Sequence, residues 1–147
     1  LFELFFASSS IHKELNYCVS KQALRLGLSL LELQVLWVLA SSDGMTMTEI
    51  AMVTAYSKDE LKSIVESLEG EGLATRVYQE DSLKCSMVAT QEGRNEISKI
   101  PVCGGTCPCK YLDLEMVRAF VDQAYFLVGA FRGGEVSPRP IHRASLG

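Results

Sequence analysis

Three thiols stand within seven residues in Cys103-Gly-Gly-Thr-Cys107-Pro-Cys109, on a stretch whose glycines let the backbone fold around a ligand. Soft thiolates select zinc, copper(I) or iron–sulfur clusters, and this spacing lets two or three of them hold one ion. Three thiolates are one short of a closed tetrahedral zinc site, so Cys18, Cys85 or a second subunit would have to complete it. Redox chemistry is the alternative: an exposed thiolate is oxidised and captured by a neighbouring thiol as a disulfide. Lys110, beside Cys109, could lower a thiol pKa. Free cysteines also serve as small hydrophobes. Cys18 and Cys85 are read that way because both fall on apolar faces, while metal, redox and no sensing role all stay open for Cys103, Cys107 and Cys109. His12 and His142 are isolated and read as surface residues.

Other catalytic constellations are missing from the sequence. It has no Gly-rich phosphate loop, no His-Glu-x-x-His and no nucleophile elbow, so an enzyme is not expected. The formal charge of −4 excludes a protein that coats nucleic acid nonspecifically, yet leaves room for a local basic patch.

The elements that must position these groups are marked by helix punctuation. Ser or Thr is followed three residues later by Glu at Ser29–Glu32, Thr46–Glu49 and Ser57–Glu60. In such a capping box the hydroxyl accepts from an orphan backbone N–H and the carboxylate reaches back to the cap's own N–H. The first box opens Leu30 to Ala40, apolar nearly all round and therefore expected in the core; Asp43-Gly44 ends it. The second helix runs from Met47 to about Val53. The third box follows so closely that two helices joined by a three- or four-residue turn are predicted, a helix-turn-helix. From Ser57, Leu61, Ile64, Val65 and Leu68 form one inward stripe, and Lys58, Asp59, Lys62, Ser63 and Glu66 form the opposite face.

Gly70 and Gly72 stop that helix. Leu73 to Tyr78 and Leu83 to Ala89 then read as a β-hairpin with a polar tip. Thr90 begins another helix to about Ile100, where Pro101 ends it. Helices are added at both ends of this unit. One, over positions 11–26 and extending back to about 3, carries Ile11, Leu15, Cys18 and Val19 on one side. The other begins after Asp113, a candidate N-cap, and places Leu114, Val117, Val121, Ala124, Val128 and Phe131 along a seam. Met116, Phe120 and Leu127 widen that seam beyond what one small core needs, which predicts a subunit interface. Residues 132–147 are rich in Gly, Pro, Ser and Arg, and a flexible tail is expected.

At 147 residues and 48% hydrophobic the chain can bury one sizeable core and is short for two domains. A single domain over 1–131 is expected, with its compact core at about 30–97 and dimerisation helices at about 3–26 and 112–131. The uncharged stretch Leu33 to Ser42 falls well short of the roughly 20 residues that span a bilayer. The apolar opening Leu1 to Phe6 contains Glu3 and lacks a signal peptide's basic flank, so no membrane partner and a cytoplasmic location are expected. Five cysteines, an odd number, do not form the disulfide framework of a small secreted fold.

The order helix, helix-turn-helix, hairpin, helix, with helices at both ends, resembles the MarR family of winged-helix regulators. The resemblance rests on Leu31-Glu32-Leu33-Gln34-Val35-Leu36, Met47-Thr48-Glu49-Ile50-Ala51, Ser57 to Leu68, Glu71-Gly72-Leu73 and Thr90-Gln91-Glu92-Gly93. It implies a mainly α fold with a β-hairpin wing, and a homodimer whose recognition helices enter successive major grooves of double-stranded DNA. Ser57, Lys58, Lys62 and Ser63 would then meet DNA, with Arg76 and Lys84 as the cations of the wing. Family wings usually carry an aspartate followed by arginine, whereas Asp81 here precedes Ser82 and Leu83. A small-molecule effector pocket is a further implication, with Trp37, Phe120 and Tyr125 either lining it or serving as plain core. The competing expectation is a winged helix kept as a dimerisation or protein-interaction module that does not bind DNA, which Asp59 and Glu66 on the outer face would suit.

Overall fold

The computed structural model describes residues 2–78, 85–100 and 114–131. The chain divides into two compact units, Leu1–Ile100 and Pro101–Gly147.

Helix α2 (Leu30–Ala40) is the centre of the first unit. It packs against α1 (Phe2–Leu26), α3 (Met47–Thr54), α4 (Lys58–Gly70), α5 (Gln91–Ser98) and strand β2 (Cys85–Ala89). Such a helix must be apolar on nearly every side. Leu33, Val35, Leu36 and Leu39 are accordingly fully buried, each worth roughly 1.5–3 kcal/mol of apolar transfer. Trp37 is the departure, 40% exposed on an otherwise enclosed helix.

All three capping boxes form. Glu32 N–H donates to Ser29 Oγ at 3.2 Å and Ser29 N–H to the Glu32 carboxylate at 2.7 Å. The same reciprocal pairs close Thr46 with Glu49 and Ser57 with Glu60. The turn between α3 and α4 is Ala55-Tyr56-Ser57, and Ala55 stands in the left-handed region at φ 59°. Its N–H still donates to Ala51 O at 2.9 Å, and the left-handed turn that follows ends α3 there.

Helix α4 turns Leu61, Ile64, Val65 and Leu68 inward, where they join Ile50 of α3 and Met87 of β2 in one core. Strand β1 (Ala74–Tyr78) pairs antiparallel with β2, in register from Ala74 opposite Ala89 to Tyr78 opposite Cys85. A further bridge joins Met45 to Met87, with both backbone bonds made at 2.9 and 2.7 Å. It attaches the hairpin to the segment between α2 and α3. Thr90 caps α5 through Gly93 N–H, and its hydroxyl donates to Gly72 O at 2.6 Å. Helix α5 ends at Ser98, just ahead of Pro101, as expected. Arg94 reaches back from α5 to the carbonyls of Ala40 at 2.7 Å and Ser42 at 3.2 Å, satisfying acceptors that the end of α2 leaves open.

Helix α1 begins earlier than the 11–26 stripe and touches the core only near its end: Ala23 is buried, and Val19 and Leu26 pack beside it. Ile11 and Leu15, expected on a packing face, are exposed, as are Phe2, Phe5 and Phe6. In the second unit, α6 (Leu114–Phe131) leaves Met116, Phe120, Phe126 and Phe131 more than half exposed. No single helix among the described residues is long and apolar enough to cross a membrane.

Candidate nucleic-acid interface

The outward face of α4 carries Lys58, Asp59, Lys62, Ser63 and Glu66, all exposed. They follow from the inward stripe: a helix that buries Leu61, Ile64, Val65 and Leu68 must present the remaining positions to solvent. Lys58 and Lys62 lie one turn apart and make no ion pair among the described residues. The start of α4 is already partly occupied. Ser57 Oγ donates to Glu60 Oε2 at 2.6 Å and accepts Glu60 N–H at 3.3 Å, while Ser57 N–H donates to the same carboxylate at 2.9 Å. The Ser57 hydroxyl, and then its backbone N–H, hold the Glu60 carboxyl below the usual carboxylate range. The helix therefore offers an incoming phosphate the amides of Lys58 and Asp59, beside a carboxylate that stays charged.

Arg76 stands on β1 and forms an ion pair with Glu69 at 3.0 Å, both side chains partly exposed. Such a pair is worth between zero and about 1 kcal/mol, so it can be exchanged for another anion. Lys84 lies outside the described residues, and so do Asp81, Asp113, His142 and Cys103, Cys107 and Cys109 of the thiol cluster. Cys18 and Cys85 are half-buried. Among the described residues no three His, Cys, Asp or Glu side chains gather where they could hold a metal. Trp37 and Phe120 are 40% and 51% exposed, so the reading of both as plain core is corrected.

Two polar links that sequence reasoning missed tie α4 to α2. The Tyr56 hydroxyl donates to Gln34 Oε1, and Ser67 Oγ donates to Glu32 Oε1 at 2.6 Å. Burial first, and then the charge of Glu60, push the Tyr56 phenol up from its ordinary value, so it remains a donor. Ser67 is the largest influence lowering the Glu32 carboxyl. Neither link has a local signature, because its partners are separated by 22 and 35 positions.

A model of the MarR family matches residues 26–82. A search of the curated proteins finds no match. Solved structures do match. A MarR-family transcriptional regulator from Rhodococcus sp. RHA1 is 19% identical, with a TM-score of 0.72, over 85% of this chain and 91% of that one. CouR from Rhodococcus jostii RHA1, solved bound to p-coumaroyl-CoA, is 19% identical, with a TM-score of 0.73, over 84% and 90%. AbfR of Staphylococcus epidermidis is 17% identical, with a TM-score of 0.72, over 88% and 92%; AbfR has also been solved in reduced and overoxidised forms bound to DNA. The helix-turn-helix with its capped turn and the hairpin behind it give this chain a winged-helix fold similar to that of these structures, and the MarR family model matches its residues 26–82.

Proposed function

We propose that this protein is a dimeric, sequence-specific DNA-binding regulator of transcription. The observation that carries the reading is the exposed face of α4, where Lys58, Lys62 and Ser63 project from the second helix of the helix-turn-helix. Lysines there meet phosphates, hydroxyls meet phosphates or base edges, and the helix fits the major groove. Arg76 and Lys84 supply the wing's cations. Similar structures solved on DNA support this reading.

Dimerisation is supported by the apolar side chains left outside on α1 and α6, among them Phe2, Phe5, Phe6, Met116 and Phe131. A monomer that exposed so many large apolar groups would risk aggregation. The CouR complex with p-coumaroyl-CoA favours a small-molecule effector here too. Cys103, Cys107 and Cys109 form the proposed sensor segment, acting as thiolate ligands to an ion such as zinc or as partners in a disulfide.

A second reading is favoured by Asp59 and Glu66 on the same α4 face, together with Arg76 engaged by Glu69. In it, the winged helix is a protein-interaction module. Titration of duplex DNA at several salt concentrations separates the two. Affinity falling steeply as salt rises supports DNA reading through several phosphates; no duplex binding at low salt supports the module. Elemental analysis with a thiol count on anaerobically purified protein tests the sensor. Near-stoichiometric metal, lost when Cys103, Cys107 and Cys109 are all serine, assigns metal sensing. Two thiols lost after mild peroxide, with no metal bound, assign a disulfide switch.

A further inference from the structure

Apolar packing is non-directional. The stripe of Leu61, Ile64, Val65 and Leu68 holds α4 to the core and its interdigitation favours a range of crossing angles, with α3 and β1 packed beside it; directional bonds narrow that range further. Two polar bonds cross the same contact. Tyr56, at the turn into α4, donates to Gln34, and Ser67, near the other end of α4, donates to Glu32 at 2.6 Å. Eleven residues of helical rise would separate Tyr56 from Ser67 by roughly 16 Å. On α2 the acceptors stand two positions apart, about 200° around the helix, so they flank the fully buried Leu33 on opposite sides. One bond in the turn that leads into α4 and one near its far end, on both flanks of α2, oppose rotation about the point of contact, in the way that two pins prevent turning where one would allow it.

We propose that Tyr56 and Ser67 are positioning residues, and that their bonds to Gln34 and Glu32 fix the angle at which α4 crosses α2. The inference deepens the DNA-reading proposal, since that angle sets how the Lys58–Lys62–Ser63 face meets a groove. Glu32 is well suited to the role. Its second oxygen is held by Ser29 N–H at 2.7 Å, so the carboxylate that receives Ser67 is fixed to the start of α2.

The test compares the full-length protein with Tyr56→Phe, Ser67→Ala and their combination, with Ser67→Thr as the variant that keeps a hydroxyl. Hydrogen exchange of the α4 amides and discrimination between sequence-specific and random duplex DNA are both measured. The expected result is that α4 amides lose protection, about tenfold in Ser67→Ala as befits a charge-assisted bond, while α2 amides keep theirs. Ser67→Thr restores protection, and discrimination falls while affinity for random duplex holds. Unchanged α4 protection in the double variant overturns the proposal, as does equal loss across α2 and α4, which would signal general destabilisation. Wild-type protein that fails to bind any duplex overturns the DNA-reading proposal instead; the exchange measurement judges the positioning role by itself.

Discussion

The α-carbon of Gly93 is seated against the carbonyl of Leu73: a β-carbon built there would lie 2.1 Å from the Leu73 oxygen and 3.0 Å from Leu36 Cδ1. The carbonyl cannot easily retreat, because it accepts Thr90 N–H at 3.0 Å and the Thr90 hydroxyl holds neighbouring Gly72 O at 2.6 Å. Gly93→Ala is therefore expected to cost about 3 kcal/mol or more, at the upper end of overpacking. Urea denaturation checks it: a midpoint within error of wild type would mean that the approach of α5 to Leu73 is looser than described.

Ala55 leads to the opposite expectation. An L-residue in the left-handed region costs roughly 1–2 kcal/mol, and glycine removes that cost while adding about 0.5–1 kcal/mol of unfolded-state entropy. Ala55→Gly should thus stabilise by about 0.5–1 kcal/mol, seen as a higher urea midpoint at unchanged slope.

The acid limb of stability should report the Ser67–Glu32 bond. The Ser67 hydroxyl first, and then Ser29 N–H, lower the Glu32 carboxyl against a smaller opposing effect of burial. A carboxyl depressed by folding contributes stability that is fully present above its unfolded pKa and is lost as pH falls through its folded value. The stability gap between wild type and Ser67→Ala should be constant from neutral pH down to the ordinary glutamate range, then narrow below it. Denaturation midpoints across that range test this; a gap that widened on acidification would have the wrong sign.

Salt dependence should distinguish the cations. Removing Lys58 or Lys62 is expected to lower the slope of log affinity against log salt by about 1 each, with similar loss on every sequence. Arg76→Ala should change it less, because its guanidinium must first leave Glu69. Glu66→Gln should strengthen binding to any duplex by removing a charge that repels phosphate. Equal slopes for wild type and both lysine variants would remove α4 from the phosphate contacts.

The capping boxes were legible because each is a local pattern: hydroxyl, carboxylate and amide all lie within four residues, and the energy is local too. The inward stripe of α4 was legible for the same reason. What escaped were contacts whose partners meet only after folding. Tyr56 with Gln34, Ser67 with Glu32 and Arg94 with the end of α2 join residues 22 to 54 positions apart, and no periodicity encodes such a pairing. The α1 stripe shows what spacing leaves open. Ile11 and Leu15 have the spacing of a packing face yet lie exposed, because amphipathic spacing shows that a face needs covering and not what covers it.

The Met45–Met87 bridge bears on how the molecule assembles. A two-stranded hairpin by itself is at best marginally stable in water, so β1 and β2 depend on what they pack against, α2, α4 and α5, and on a strand-like partner, Met45, that precedes them by two whole helices. Closing that long loop has an entropic cost, which the packing of α2, α3 and α4 around Met45 offsets. The wing is therefore a dependent element: it has little standing of its own, and its stability is borrowed from the helices and the bridge that hold its inner side.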